Sequence, residues 1–101
     1  MAAATETFCP AYGTGVTVAP GVTSAYSTLT GAGPSIVLTN LSDSVTAYIR
    51  TGVDSAVATT ADYPVLPNTQ VSLSKGRFEN VVAYITASGT GSLHIMSGKG
   101  I

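Results

Sequence analysis

The sequence predicts an all-β fold, a small antiparallel β-sandwich or jelly-roll-like barrel of about seven to eight short strands. Three observations carry this. Apolar and polar residues alternate with a period of two through several short runs rich in β-branched and aromatic side chains. Turn signals of Gly, Pro, Ser and Asp recur every ~8–12 residues, the spacing of sandwiches and barrels. No stretch carries a helical period long enough to compete, and no internal repeat is visible.

In chain order, residues 1–13 are expected to form an extended N-terminal arm and residues 14–101 a single β domain. Residues 1–10 show no period and end at Pro10; Phe8 is the arm's large anchor. Residues 14–18 are a short strand closed by the turn pair Pro20-Gly21. Residues 22–30 are a second, with Val22, Ser24, Tyr26 and Thr28 on one face. Gly31-Ala32-Gly33-Pro34 breaks the pattern. Residues 35–50 then read as a hairpin: Ile36 and Leu38 point one way and Val37 and Thr39 the other, while Val45, Ala47 and Ile49 oppose Thr46, Tyr48 and Arg50. Residues 52–68 form the longest connection, in which 56–60 suit a brief edge strand. Residues 62–68 cannot form a central strand, because Pro64 and Pro67 lack ladder donors. Residues 70–74 alternate again, with Val71 and Leu73 inward. A charged turn, Lys75-Gly76-Arg77, precedes residues 79–87, the longest apolar run, both of whose faces look buried. Ser88-Gly89-Thr90-Gly91 reads as a hairpin turn into a last strand at 92–96, before a Gly-rich tail.

Composition restricts the function. Charged residues make up 9% of the chain, against roughly 25% in an average soluble protein. Charge normally keeps monomers apart, so its scarcity argues that much of the surface meets other protein. A chain this short also buries only about 60–65% of its unfolded surface, a further reason to expect a homo-oligomer. No basic stripe offers itself to nucleic acid, and no run reaches the ~18 apolar residues of a membrane span. Cys9 is the sole cysteine, so no internal disulfide forms. The first residues show neither a basic nor an apolar signal-peptide region, so synthesis and retention in a cytoplasm until assembly are expected. In that setting the sequon Asn40-Leu41-Ser42 is a chance match.

No reaction chemistry is legible. His94 is the sole histidine and alternates out of phase with Leu93 and Ile95. With Cys9 it has no local motif of a nucleophilic dyad, and one His with one Cys does not supply the three or four ligands of a zinc site. Asp43, Asp54 and Asp62 fall in loops, where turn chemistry explains them. The tail Gly98-Lys99-Gly100 has Leu93 where a phosphate loop needs glycine, and no Ser or Thr after Lys99. The expectation is therefore a non-enzyme without cofactor or metal. The remaining specific side chains are aromatic and cationic: Phe8, Tyr12, Tyr48, Arg50 and Tyr63 are the candidate interface residues, since Tyr and Arg are favoured where proteins meet.

From Ile36 to Gly100 the chain resembles small virion proteins of tailed bacteriophages and prophages. The residues that carry the resemblance are Val45-Thr46-Ala47-Tyr48-Ile49-Arg50-Thr51-Gly52, then Ala58-Thr59-Thr60-Ala61-Asp62-Tyr63-Pro64-Val65-Leu66-Pro67. They continue with Val81-Val82-Ala83-Tyr84-Ile85-Thr86-Ala87-Ser88-Gly89-Thr90-Gly91 and the closing Leu93-His94-Ile95 with Gly98 and Gly100. The resemblance covers about two-thirds of the chain and leaves out the first thirty residues. It implies a non-enzymatic virion component: a capsid decoration (cement) protein on the capsid surface, bound to the major capsid protein lattice as a dimer or trimer. The alternative it leaves is a small tail, tail-tip or head-fibre component; a competing reading, from outward aromatics and loop carboxylates, is a receptor-binding (carbohydrate-binding) β-sandwich module.

Overall fold

The computed structural model describes residues 9–10, 12–13, 15–29, 35–53, 56–74 and 79–99. They form nine strands and no helix: β1 (Cys9–Pro10), β2 (Val16–Val18), β3 (Ala25–Thr28), β4 (Ser35–Asn40), β5 (Ala47–Gly52), β6 (Tyr63–Val65), β7 (Gln70–Ser74), β8 (Val81–Thr86) and β9 (Leu93–Lys99). The pairings have a simple order. β5 pairs with β6, β4 with β7, β3 with β8 and β2 with β9, all antiparallel. The chain thus doubles back as one long ribbon whose tip is β5–β6. The ribbon then rolls up, so that β4 also meets β9 and β5 also meets β8. The result is sheet I, in the order β2-β9-β4-β7 with β1 beside the far end of β9, and sheet II, in the order β3-β8-β5-β6. This is the jelly-roll arrangement of a two-sheet β-sandwich, in agreement with the fold class expected from the alternation.

The alternation decides which residues face inward. Ile36, Leu38, Leu93 and Ile95 of sheet I meet Ala47, Ile49, Val65, Val82 and Tyr84 of sheet II, each no more than 6% exposed. Burying a Leu, Ile or Val side chain stabilises by about 1.5–3 kcal/mol, so this layer is the main source of stability. Val16, Val18, Leu29, Val71 and Leu73 close its rim. The Tyr84 hydroxyl is partnered there by Ser27 Oγ at 3.1 Å, as a polar group near the core requires.

Several expectations change. Residues 35–50 are not a hairpin: β4 belongs to sheet I and β5 to sheet II, so residues 41–46 cross between the layers. The same holds for residues 87–92 between β8 and β9. The expected edge strand at 56–60 is absent; 56–59 are irregular and a turn follows. β2 and β3 are shorter than the runs that announced them. The end of the expected arm joins the sheet, since Cys9 and Pro10 pair with Lys99 and Gly98; Phe8 lies outside the described residues. β6, with Pro64, lies at the edge of sheet II, as the missing proline donor demands.

Candidate functional site

The jelly-roll topology brings four connections to one end of the sandwich: 19–24, 41–46, 66–69 and 87–92. Backbone hydrogen bonds tie them together. Thr86 N–H donates to Gly21 O and Gly91 N–H to Pro20 O, both at 2.8 Å; Leu41 N–H donates to Ser92 O at 2.8 Å; Asn68 N–H donates to Ser42 O at 3.0 Å. Asn68 makes its turn with a positive φ of 57°, a conformation asparagine tolerates. Surface loops are normally mobile; these four are held as a single body.

The brace of this end is Asn40, the last residue of β4. It follows Ile36 and Leu38 in the inward phase and is 2% exposed. Its Nδ2 donates to Val45 O at 2.8 Å and to Val65 O at 2.9 Å. Its Oδ1 accepts from Ser42 N–H at 3.0 Å. One side chain of sheet I thereby fixes the crossing loop and the end of β6 in sheet II. A glycan on that nitrogen is incompatible with the fold, so the sequon is not a modification site of the folded protein.

The surface of this end is almost without charge: Asp43 is the one charged residue in the four loops. Three of the loops each present an aliphatic side chain to solvent, Val22 at 61%, Leu41 at 54% and Leu66 at 56% exposure. Between loops 41–46 and 87–92 runs a groove of about 250 Å³, lined by Ser44, Val45, Thr46, Tyr48, Ala87 and Ser88.

The outer face of sheet II is covered in part by the chain itself. On β8 the outward residues Val81 and Ala83 are 1% and 0% exposed, although sheet outer faces normally meet water. The connection from β5 to β6 explains it. An added Cβ on Gly52, outward on β5, would lie 2.7 Å from Ala56 Cβ. Ala58 N–H donates to Ser24 Oγ beside β3 at 2.8 Å. Asp62 then returns to β5, where Arg50 Nη2 and Nε donate to its Oδ1 at 2.8 and 3.0 Å. A segment that touches β5, then β3, then β5 again has to cross β8. Residues 56–62 are thus a strap over the sheet. Thr59 N–H donates to Asp62 Oδ2 at 2.7 Å. Partial burial alone would raise the Asp62 carboxyl; the Thr59 N–H, the Arg50 guanidinium and the Thr59 hydroxyl together outweigh it and hold the carboxyl below its ordinary value.

Phe8 lies outside the described residues; the other four sequence-derived interface residues, Tyr12, Tyr48, Arg50 and Tyr63, do not form one patch. Tyr48 and Arg50 share the outer face of β5, the first at the groove and the second clamped to the strap. Tyr63 pairs with Ile49, so it faces inward, yet it remains 46% exposed because β6 is the last strand of its sheet. Tyr12 stands 84% exposed at the turn between β1 and β2, on the other sheet. The alternation reading passed over Val22, Leu41, Leu66 and Asn40. The usable signals were the near-absence of charge in the turn segments and a polar residue in phase with Ile36 and Leu38.

Chemistry finds little here. Among the described residues, no three His, Cys, Asp or Glu side chains gather into a metal site. His94 pairs across with Thr17 and Thr39, while Cys9 pairs with Lys99. Five residues of strand, about 17 Å at 3.3 Å each, separate the two positions, so they form no dyad. Family models, curated proteins and solved structures were compared with the chain, and none matches. A jelly roll by itself hosts many functions, so the surface has to carry the functional argument.

Proposed function

We propose that this chain is a non-enzymatic structural protein of a tailed-phage virion, a decoration (cement) protein that seats its four-loop end on the assembled capsid. The observation that carries this is the end itself: four cross-bonded loops, one charge, and Val22, Leu41 and Leu66 standing free in solvent. A braced surface with a single charge and protruding aliphatics has little ordering entropy to lose on docking and matches the apolar centre of a protein interface. The resemblance of residues 36–100 to phage virion proteins supplies the partner class. A protein that binds the closed shell and not its free subunits stabilises the shell by mass action. Residues 1–8, ahead of β1, are the arm that reaches a neighbouring subunit in this reading.

The test is co-sedimentation with empty capsids. Wild type is expected to pellet with shells almost equally at low and high salt, since screening acts on charge. Leu41→Asp and Leu66→Asp place a charge in a desolvated contact, which costs about 2 kcal/mol or more, roughly 30-fold in Kd. Deletion of residues 1–8 is expected to weaken attachment without unfolding the domain. No binding of wild type at any salt would remove the protein from the capsid.

A second reading, a receptor-binding module of a tail or head fibre, is favoured by one feature. Tyr48, Ser44, Thr46 and Ser88 all line the groove, and an aromatic ring with hydroxyls is a combination suited to a neutral sugar. Chemical-shift changes at these residues on adding neutral monosaccharides, together with no capsid binding, would select it.

A further inference from the structure

We propose that two copies of this chain pair edge to edge through β7, so that sheet I runs unbroken across a two-fold dimer. This goes beyond capsid docking and stands apart from it. The sandwich has four sheet edges, each a row of backbone donors and acceptors able to template another chain.

Three edges are blunted. Beside β9, Pro10 pairs with Gly98 and Val16 with Ile95. Between these two pairings the edge breaks at a turn where Gly13 has a φ of 84°. β6 is three residues long and carries Pro64, which has no N–H to offer. β3 is four residues long, and the strap closes its entrance through the bond from Ala58 N–H to Ser24 Oγ.

β7 has no such device. Gln70, Val71, Ser72, Leu73 and Ser74 contain no proline, glycine or charge. They pair with β4 from Thr39 to Ser35 in one regular register without a bulge. The other side of β7 meets no strand among the described residues.

The occupant is a second copy because the edge is complementary to itself. A two-fold axis through Ser72 sets Ser72 opposite its own symmetry mate, Val71 opposite Leu73, and Gln70 opposite Ser74. Val71 and Leu73 lie on the inner face, paired with Leu38 and Ile36, and are only half-buried at the rim of the core. Across the axis they complete each other's burial. Gln70, Ser72 and Ser74 lie on the outer face, exposed and uncharged, and meet as an amide–hydroxyl ladder. A slip of one residue would turn the apolar pair outward, which fixes the register. Tyr63, inward-facing on the neighbouring edge strand of sheet II, stands on the same open side and adds its exposed ring to the contact. The interface is isologous and closes at two copies.

The test uses the purified full chain and its mass in solution. At about 100 µM, where even a micromolar dimer is populated, sedimentation equilibrium is expected to return twice the 10.1 kDa chain mass. Ser72→Lys and Ser72→Glu each place like charges opposite each other at the axis, on an exposed position that leaves the core untouched. Each variant alone is expected to be a folded monomer by circular dichroism and mass. An equimolar mixture of the two is expected to restore the dimer. In wild type the β7 amides that point away from β4 exchange slowly, and in Ser72→Lys they exchange fast. A monomeric wild type, or a Ser72→Lys variant that keeps the dimer mass, would overturn the proposal.

Discussion

Asn40→Ala is the sharpest perturbation of the fold. It removes two donated hydrogen bonds, to Val45 O and Val65 O, and one accepted from Ser42 N–H. Each such bond contributes about 0.5–1.5 kcal/mol net, and the groups left behind are poorly placed to find water. The sum is roughly 2–4 kcal/mol, a large share of the ~5–15 kcal/mol that holds a domain together. For a chain of this length each 1 kcal/mol moves the melting temperature by about 4–8 °C, so a fall of roughly 10–30 °C is expected. Asn40→Asp separates the hydrogen bonds from the side-chain volume. One carboxylate oxygen still accepts from Ser42, but the other replaces the donor and faces two carbonyl oxygens. At neutral pH this variant should be less stable than Asn40→Ala. Its folded-state carboxyl is raised above the unfolded value, because only the protonated form can donate. Stability is therefore recovered below the unfolded pKa and lost as pH rises through the folded one. Urea unfolding at two pH values measures both effects. If both variants stayed within about 0.5 kcal/mol of wild type, the brace would have to be sought elsewhere.

Further outcomes follow from the strap and the loop end. The folded Asp62 carboxyl is held below its ordinary value, so its stabilisation is present above the unfolded pKa and lost as pH falls through the folded one. Wild type and Asp62→Asn should therefore differ in stability at neutral pH and converge in acid, by less than about 1 kcal/mol because the Arg50 partner is half-exposed. Gly52→Ala brings a Cβ to 2.7 Å from Ala56 Cβ, which should cost about 1–3 kcal/mol and speed hydrogen exchange at Ala58 N–H as the strap lifts. An unchanged exchange rate would mean that the strap is not held against β5. Leu41→Asp and Leu66→Asp should lose capsid co-sedimentation while keeping the wild-type circular dichroism spectrum.

Local pattern and tertiary placement divide the structure between them. The residue pattern made the chain all β, because an alternating run has a stable use only as a strand with one buried face. It put Ile36 with Leu38, and Ala47 with Ile49, on one face of their strands, and the fold turned those faces inward. It determined that Tyr63–Val65 is no central strand, because proline lacks a donor. It also showed β8 as apolar on both faces. What it left open is which strand lies beside which, since period-two alternation encodes burial and carries no partner. Residues 35–50 read as a hairpin, because alternation looks the same in paired strands and in strands of facing sheets. Only the rolled ribbon, with Asn40 reaching across to Val45 and Val65, decides for the second. The cover over Val81 and Ala83 was likewise a tertiary decision: the irregular segment 56–62 returns over β8 because Gly52 leaves room for Ala56 and because Arg50 waits for Asp62. The neutral loop end and the bare edge of β7 are of the same kind. Their residues are plain in the sequence, but a docking surface exists only once distant turns are bonded together and three other edges are closed.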